Sequence, residues 1–310
     1  MERKLVSYIF PAFNEVETLP ELSKVLQPIL IEVEKKYRTE IIFINDGSKD
    51  NTLGLLNEMA SKDKRIRILN FSRNFGHQIA ISAGLDFAEG DAVIIMDVDL
   101  QDPPTVSLDL LKKWEEGFQV VYAQRRSRKD GFFKRITAFG FYRVLSAFAD
   151  IDIPKDTGDF RLMDKVVVQE IRKYKEHNRF MRGLVSYLGF RQTGVLFDRA
   201  NRFAGATHYP LKKMLKLAND AIVSFSYAPL RIVNRLGYVL MAISSLAVLV
   251  WLLAKVFAWN VHYPTSVDVL IVGAFLTGIN LAALGILGQY LGRIYSEVQD
   301  RPLYILNPVE

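Results

Sequence analysis

Ala92-Val93-Ile94-Ile95-Met96-Asp97-Val98-Asp99-Leu100-Gln101-Asp102-Pro103-Pro104 is the stretch on which the fold turns. Its first five residues form an unbroken apolar run, the signature of a strand buried on both faces of a parallel sheet. Alternating carboxylates follow at once. Negative charge at the carboxyl edge of such a sheet lies where α/β folds bind ligands. Oxygen donors at that spacing suit a hard divalent cation, Mg²⁺ or Mn²⁺, which can in turn carry a phosphate.

Upstream of this stretch the pattern alternates. Strands are expected at 5–10, 40–45, 66–71 and 92–96, with a further one at 119–123. Helices are expected between them at 18–37, 51–60, 77–89 and 105–116. Strand–helix alternation predicts an α/β domain, a mostly parallel sheet with helices on both faces. Two familiar ligands of such sheets lack their motifs. No Gly-x-Gly-x-x-Gly follows the first strand, where the chain reads Pro11-Ala12-Phe13-Asn14-Glu15, and no Gly-Lys-Ser/Thr occurs anywhere. Carboxylates do stand near three strand ends, at Glu15, Asp46 and Asp97/Asp99. Together they suit ribose hydroxyls, a base edge and a metal, the parts of a nucleoside diphosphate. Taken singly, Glu15 also reads as a helix-start charge and Asp46 as a turn residue.

The last third of the chain changes character. Residues 236–259 carry one charge, Lys255, and residues 267–291 carry one, Asp268. At 1.5 Å per residue each stretch reaches roughly 36 Å, enough for a hydrocarbon core of about 30 Å. Two transmembrane helices are therefore expected, joined by 260–266. Arg231, Arg235, Arg293 and Arg301 flank them while the connecting loop has no Lys or Arg, which predicts a cytoplasmic catalytic domain and cytoplasmic ends. The run 5–10 is too short for a signal peptide, and the absence of cysteine suits the cytoplasm. A net charge of +6 over 310 residues does not suggest nucleic acid, and its concentration near the expected spans points to anionic membrane lipid. Leu211, Met214, Leu215, Ala218, Ile222 and Phe225 recur at helical spacing opposite Lys212, Lys213 and Lys216, an interfacial amphipathic pattern. The organisation expected is thus a catalytic domain at 1–209, a juxtamembrane segment at 210–235, a two-helix membrane domain at 236–292 and a cytoplasmic tail at 293–310. Gly288 and Gly292 form a Gly-x-x-x-Gly that hints at a homo-oligomer.

In order along the chain come Pro11-Ala12-Phe13-Asn14-Glu15, Asn45-Asp46-Gly47-Ser48, Ser72-Arg73-Asn74-Phe75-Gly76, the run 97–104, Thr157-Gly158-Asp159-Phe160-Arg161-Leu162 and Arg202-Phe203-Ala204-Gly205. With this set the chain resembles family 2 glycosyltransferases of the nucleotide-diphospho-sugar (GT-A) fold. Within them it is similar to the polyprenyl-phosphate hexosyltransferases, which include bactoprenol glucosyltransferases and dolichyl-phosphate mannose synthase. The resemblance implies inverting transfer of one hexose, with UDP-glucose favoured as donor, to undecaprenyl or another polyprenyl phosphate. It implies donor contacts from Pro11, Phe13, Glu15, Ile44, Asp46, Asp97 and Val98, and phosphate contacts from Arg125, Arg202 and the residue at 208. Relatives commonly read Gly-Glu-Ser-Lys where this chain has Gly205-Ala206-Thr207-His208, so a pH-dependent charge stands in for a permanent one. Asp99 and Gln101, with Asp97, would hold Mg²⁺ or Mn²⁺. Asp99 and Asp159 are the expected catalytic residues, Asp159 as base or as the group that orients the acceptor. Asp159 also reads as an N-cap for a helix beginning at 160. Processive synthases of this fold carry Gln-x-x-Arg-Trp, whereas none of Trp114, Trp251 and Trp259 follows an arginine.

Overall fold

Strand β1, Leu5–Ala12, is buried from its second residue to its last, and it lies near the middle of a seven-stranded sheet. β2 (Arg38–Asn45) and β3 (Ile66–Asn70) extend to one side of it, and β4 (Ala92–Ile95) pairs on the other, all four parallel. β6 (Thr157–Asp164) then runs antiparallel between β4 and β5 (Val120–Arg125), and β7 (Gln192–Phe197) closes the far edge parallel to β5. The order is β3-β2-β1-β4-β6-β5-β7. The computed structural model describes residues 3–126, 154, 157–177, 179–198 and 266–307, with isolated positions at 233, 235, 239, 246 and 253.

Period-2 alternation sorts the strand side chains into two cores. Val6, Tyr8 and Phe10 of β1, with Phe43, Ile94 and Leu162, meet helices α1 (Leu19–Glu34) and α4 (Val106–Glu115). Ile9, Ile42, Ile44, Val93, Ile95 and Met163 point the other way, onto α3 (His77–Phe87), α5 (Lys165–Lys173) and α6 (Met181–Tyr187). α2 (Thr52–Lys62) packs through Leu56 into the first core. α1 buries Leu19, Leu22, Leu26, Ile29, Leu30 and Val33, a stripe at three- and four-residue steps. Each such side chain, fully buried, contributes about 1.5–3 kcal/mol relative to exposure. Truncating one in the second core, Ile9→Ala for example, would cost roughly 2–5 kcal/mol and loosen the bed on which α3 sits.

The final described helix, α7 (Ser266–Val298), takes in the second apolar stretch. Among the described residues, however, no helix is long and apolar enough to cross a membrane. That finding overturns the expected pair of transmembrane helices and, with it, the integral-membrane placement with cytoplasmic ends. The physical reason is that apolar composition reports a helix's need for cover without saying what covers it. α7 exposes Asn280 and Gln289 among its leucines, and continues past the apolar stretch through Arg293 and Glu297. Its end is tied to the sheet domain: His177 donates its backbone N–H to Glu297 Oε1 at 2.9 Å and sets Nδ1 3.0 Å from Oε2. The first stretch, 236–259, lies outside the described residues except at three positions, as do the amphipathic segment 211–225, Arg202 and His208. Gly288 and Gly292 face open space.

Candidate active site

Strand order reverses between β1 and β4, since the chain adds β2 and β3 on one side and then crosses to the other. A crevice outside the carboxyl ends of the strands is expected at such a switch point. A cleft of about 860 Å³ opens there, lined by residues 11–18 at and beyond the end of β1, Asp46 and Asp50 after β2, Asn74, Gly76, His77 and Ala80 after β3, and Asp97–Asp99 after β4. Pro11, Phe13, Glu15, Asp46, Asp97, Val98 and Asp99 are thus brought together as the sequence led us to expect. Ile44 is not: it pairs with Pro11 in register and is fully buried against α3. Gln101 stays outside the lining and donates its backbone N–H to Asp99 Oδ1 at 3.1 Å, shaping the turn in which Leu100 adopts a φ of 56°. Arg125, at the end of β5, approaches Gly158, where an added Cβ would lie 3.7 Å from both Arg125 Nη2 and Asp102 Oδ2.

The β1 loop is pinned onto the β2 turn. Asn14 has a φ of 57°, donates its N–H to Ser48 Oγ at 3.0 Å and accepts from Lys49 N at 2.9 Å through its side chain. The Glu15 N–H donates to Thr52 Oγ1 at 2.8 Å. Phe13 lines the cleft and is 41% exposed there, an aromatic side chain able to meet a planar base.

Asp46 is buried and its carboxylate receives two backbone donors of the loop after β3, Phe75 N at 2.7 Å and Gly76 N at 3.0 Å. Burial raises its pKa, and those two bonds with His77 and Arg73 work against the rise. The Asn74 side chain donates to Asp46 O at 3.1 Å. Asp46 therefore organises a second wall of the cleft, a role not legible from its position alone.

Asp97 is also raised, first by burial and then by the neighbouring carboxylates Asp159 and Asp99, against the pull of His77 and Arg182. Its Oδ1 is buried without a hydrogen-bond partner, and His77 Nε2 stands 3.6 Å away. Asp97 and Asp99 both line the cleft, and their carboxylate oxygens are hard donors of the kind that fit a divalent cation. No group of three or more His, Cys, Asp or Glu placed to hold a metal occurs among the described residues. Two carboxylates with a substrate diphosphate completing the shell is the arrangement Mg²⁺ commonly takes.

Asp159 lies within β6, so the helix-cap reading fails. The cap of α5 is Asp164, whose Oδ1 accepts from Val166 N at 2.9 Å. Asp159 is 7% exposed and receives Arg182 Nε at 2.9 Å, Gln78 Nε2 at 3.0 Å and His77 Nε2 at 3.3 Å. Burial alone would raise its pKa, but Arg182 and His77 outweigh it and hold the carboxyl well below the usual range. His77 is the counterpart. Burial lowers its pKa, yet the bond to Asp159 and the charge of Asp97 raise it from 6.5 to about 9. Arg161, two residues on and also buried, is pushed down to about 10 chiefly by burial, with Arg182 adding to the fall and Asp159 opposing it.

His77, Gln78, Arg161 and Arg182 were not singled out in the sequence. His77 follows Ser72-Arg73-Asn74-Phe75-Gly76 directly, and a strand-end loop that opens a helix is where a further site residue could have been sought. Nothing in the sequence ties Arg182 to Asp159.

Residues 7–172 match the Glycosyl transferase family 2 profile. A Bacillus subtilis protein named uncharacterized glycosyltransferase YkcC is 46% identical over 301 residues, covering 97% of this chain and 92% of its own. The SfII prophage-derived bactoprenol glucosyl transferase of Shigella flexneri is 40% identical over 302 residues, covering 97% of each chain. Among solved structures, mannosyl-3-phosphoglycerate synthase from Rubrobacter xylanophilus aligns at a TM-score of 0.48 with 17% identity, covering 76% of this chain and 75% of that one.

Proposed function

The chain belongs to glycosyl transferase family 2 and is a glycosyltransferase, and from that premise we propose that it moves one glucose from UDP-glucose to a polyprenyl phosphate with inversion at the anomeric carbon. The observation that carries the reading is the convergence of Glu15, Asp46, Asp97 and Asp99, from three strand ends, on one cleft at the switch point. The choice of acceptor draws on the near full-length relatives named for bactoprenol glucosyl transfer.

In this reading the uracil rests against Phe13, the ribose lies between the β1 loop and Asp97–Val98, and the diphosphate faces Asp97 and Asp99. A Mg²⁺ or Mn²⁺ bound by those two carboxylates, with Gln101 shaping the Asp99 turn, would neutralise charge on the departing diphosphate. Arg125, Arg202 and His208 are assigned to the phosphates. The acceptor is a phosphate monoester whose second ionisation falls near a pH of about 6, so it attacks already charged. A strong base is not required, and Asp159, with its depressed pKa, would be a weak one. Of the two roles the resemblance leaves open, Asp159 takes the orienting one: its carboxylate fixes Arg182 and the His77 imidazole beside the reacting centre, where preorganised charge acts on the transition state.

The test is a radiolabel screen of UDP-glucose, GDP-mannose and UDP-pentoses against undecaprenyl phosphate. Lipid-phase label from UDP-glucose alone is expected. Label from another donor would replace the sugar, and no lipid-phase label from any donor would remove the polyprenyl acceptor.

A further inference from the structure

After α7 the chain folds back onto the sheet domain. Asp300 takes a φ of 46°, and His177 Nε2 meets Arg301 O at 2.8 Å. Residues 301–307 then lie along the end of the edge strand β3. Ser72 N donates to Ile305 O at 2.9 Å, Asn307 N donates to Asn70 O at 2.8 Å, and Phe71 bridges Leu306 antiparallel. The Tyr304 ring stacks on Phe71 with centroids 5.2 Å apart, and its hydroxyl donates to Asp86 Oδ2 of α3 at 3.1 Å. Phe71 meets Phe75 edge-on at 5.5 Å. The Phe75 N–H is the donor held by Asp46. Two ring contacts and one hydrogen bond thus connect Tyr304 to a carboxylate of the cleft.

The loop so reached, 72–77, supplies Asn74, Gly76 and His77 to the cleft. Its inner side is fixed by Asp46, and its outer side is backed by Phe71, Tyr304 and Leu306, which pack in the same cluster as Phe75. A loop held from both sides loses less freedom when a ligand arrives, which is the general source of preorganised affinity.

We propose that residues 301–307 form a strap that positions the 72–77 loop for the donor, with Tyr304 as its positioning residue. The inference rests on the nucleotide-sugar reading of the cleft. Tyr304→Ala removes both ring stack and hydrogen bond, whereas Tyr304→Phe keeps the stack.

Hydrogen exchange on the full chain reads the strap without any ligand. Tyr304→Ala should speed exchange of the Phe75 and Gly76 amides at least tenfold and leave α1 and α2 unchanged. Tyr304→Phe should stay within about threefold of wild type. Calorimetric titration with UDP should then show affinity about tenfold weaker for Tyr304→Ala and near wild type for Tyr304→Phe. Unchanged protection at Phe75 and Gly76 would overturn the strap, and so would loosened amides with UDP affinity intact. If Tyr304→Ala proves unstable throughout, Leu306→Ala takes its place with the same two readouts. A wild-type protein that ignores UDP would sink the donor reading instead, while the exchange data still decide whether the strap holds the loop.

Discussion

His77 Nε2 lies 3.3 Å from Asp159 Oδ2, joining the first residue of α3, which lines the cleft, to the third residue of β6. The pair couples two elements that share no backbone pairing, and it raises one pKa while lowering the other.

The first expectation is a pH signature of that pair. His77 has its folded pKa raised from 6.5 to about 9, so its contribution to stability is complete below the unfolded value and lost as pH rises through about 9. Asp159, shifted down, contributes above its ordinary 3.8 and loses that contribution only as pH falls through its depressed folded value. The melting-temperature gap between wild type and His77→Gln in metal-free buffer should therefore be widest between about pH 4 and 6.5 and close above about 9. A gap independent of pH would show that the imidazole is not charged there.

Asp159→Asn leaves Arg182 and His77 facing a neutral amide in a buried position. Losing one partner of a buried pair costs roughly 3 kcal/mol, so denaturant titration should register a clear loss. Turnover should fall about 100-fold or more, in the range seen when one preorganised electrostatic group is removed. A variant with near-normal rate would release Asp159 from the mechanism.

Chelation supplies the third expectation. With Asp97 and Asp99 offering only oxygen ligands, turnover should vanish in EDTA and return with Mg²⁺ or Mn²⁺. Asp99→Asn should lower turnover severely while the protein stays folded, because Asp99 sits in a solvent-facing turn whose bond from Gln101 N an amide oxygen can still accept. Full activity in excess chelator would exclude the metal.

Gly47, in the turn after β2, and Gly76, which lines the cleft, should respond unequally to alanine. Gly47, at a φ of +65°, would place a Cβ 2.4 Å from Arg73 C and 2.5 Å from Asn74 N, so backbone would have to move. Gly76, at +104°, would meet nothing within 4 Å. Gly76→Ala should cost the backbone strain alone, about 1–3 kcal/mol. Gly47→Ala should cost more than that and also weaken UDP binding, since the backbone it displaces belongs to the 72–77 loop. Equal destabilisation would mean that the close packing of loop on turn is not maintained in solution.

Much of the first half of the chain was legible because strands buried on both faces write unbroken apolar runs. β1, β2 and β4 fall within about two residues of the expected 5–10, 40–45 and 92–96. β6 was not legible. Thr157-Gly158-Asp159-Phe160-Arg161 buries an acid and a base among its apolar residues, and a short polar stretch before an apolar one reads equally as a helix start. Only the long-range pairing of Arg161 with Ile95 and Tyr122 makes it a strand. In the site, the carboxylates announced themselves by position after strands, whereas their cationic partners His77 and Arg182 come from helix starts that no local pattern links to Asp159. The apolar stretches near the C-terminus misled because hydropathy alone does not distinguish lipid from other cover.

β3 is one of the two edge strands of the sheet, and the segment 301–307 occupies the hydrogen-bonding groups just where that strand ends, at Asn70 and Ser72. An uncovered strand margin is a template for pairing with a neighbouring molecule. β3 is only five residues long and carries the half-exposed Arg67, which already discourages such pairing. With its end occupied as well, the margin open to another chain is shortened to the first four residues of β3, so the same seven residues also act as an edge guard.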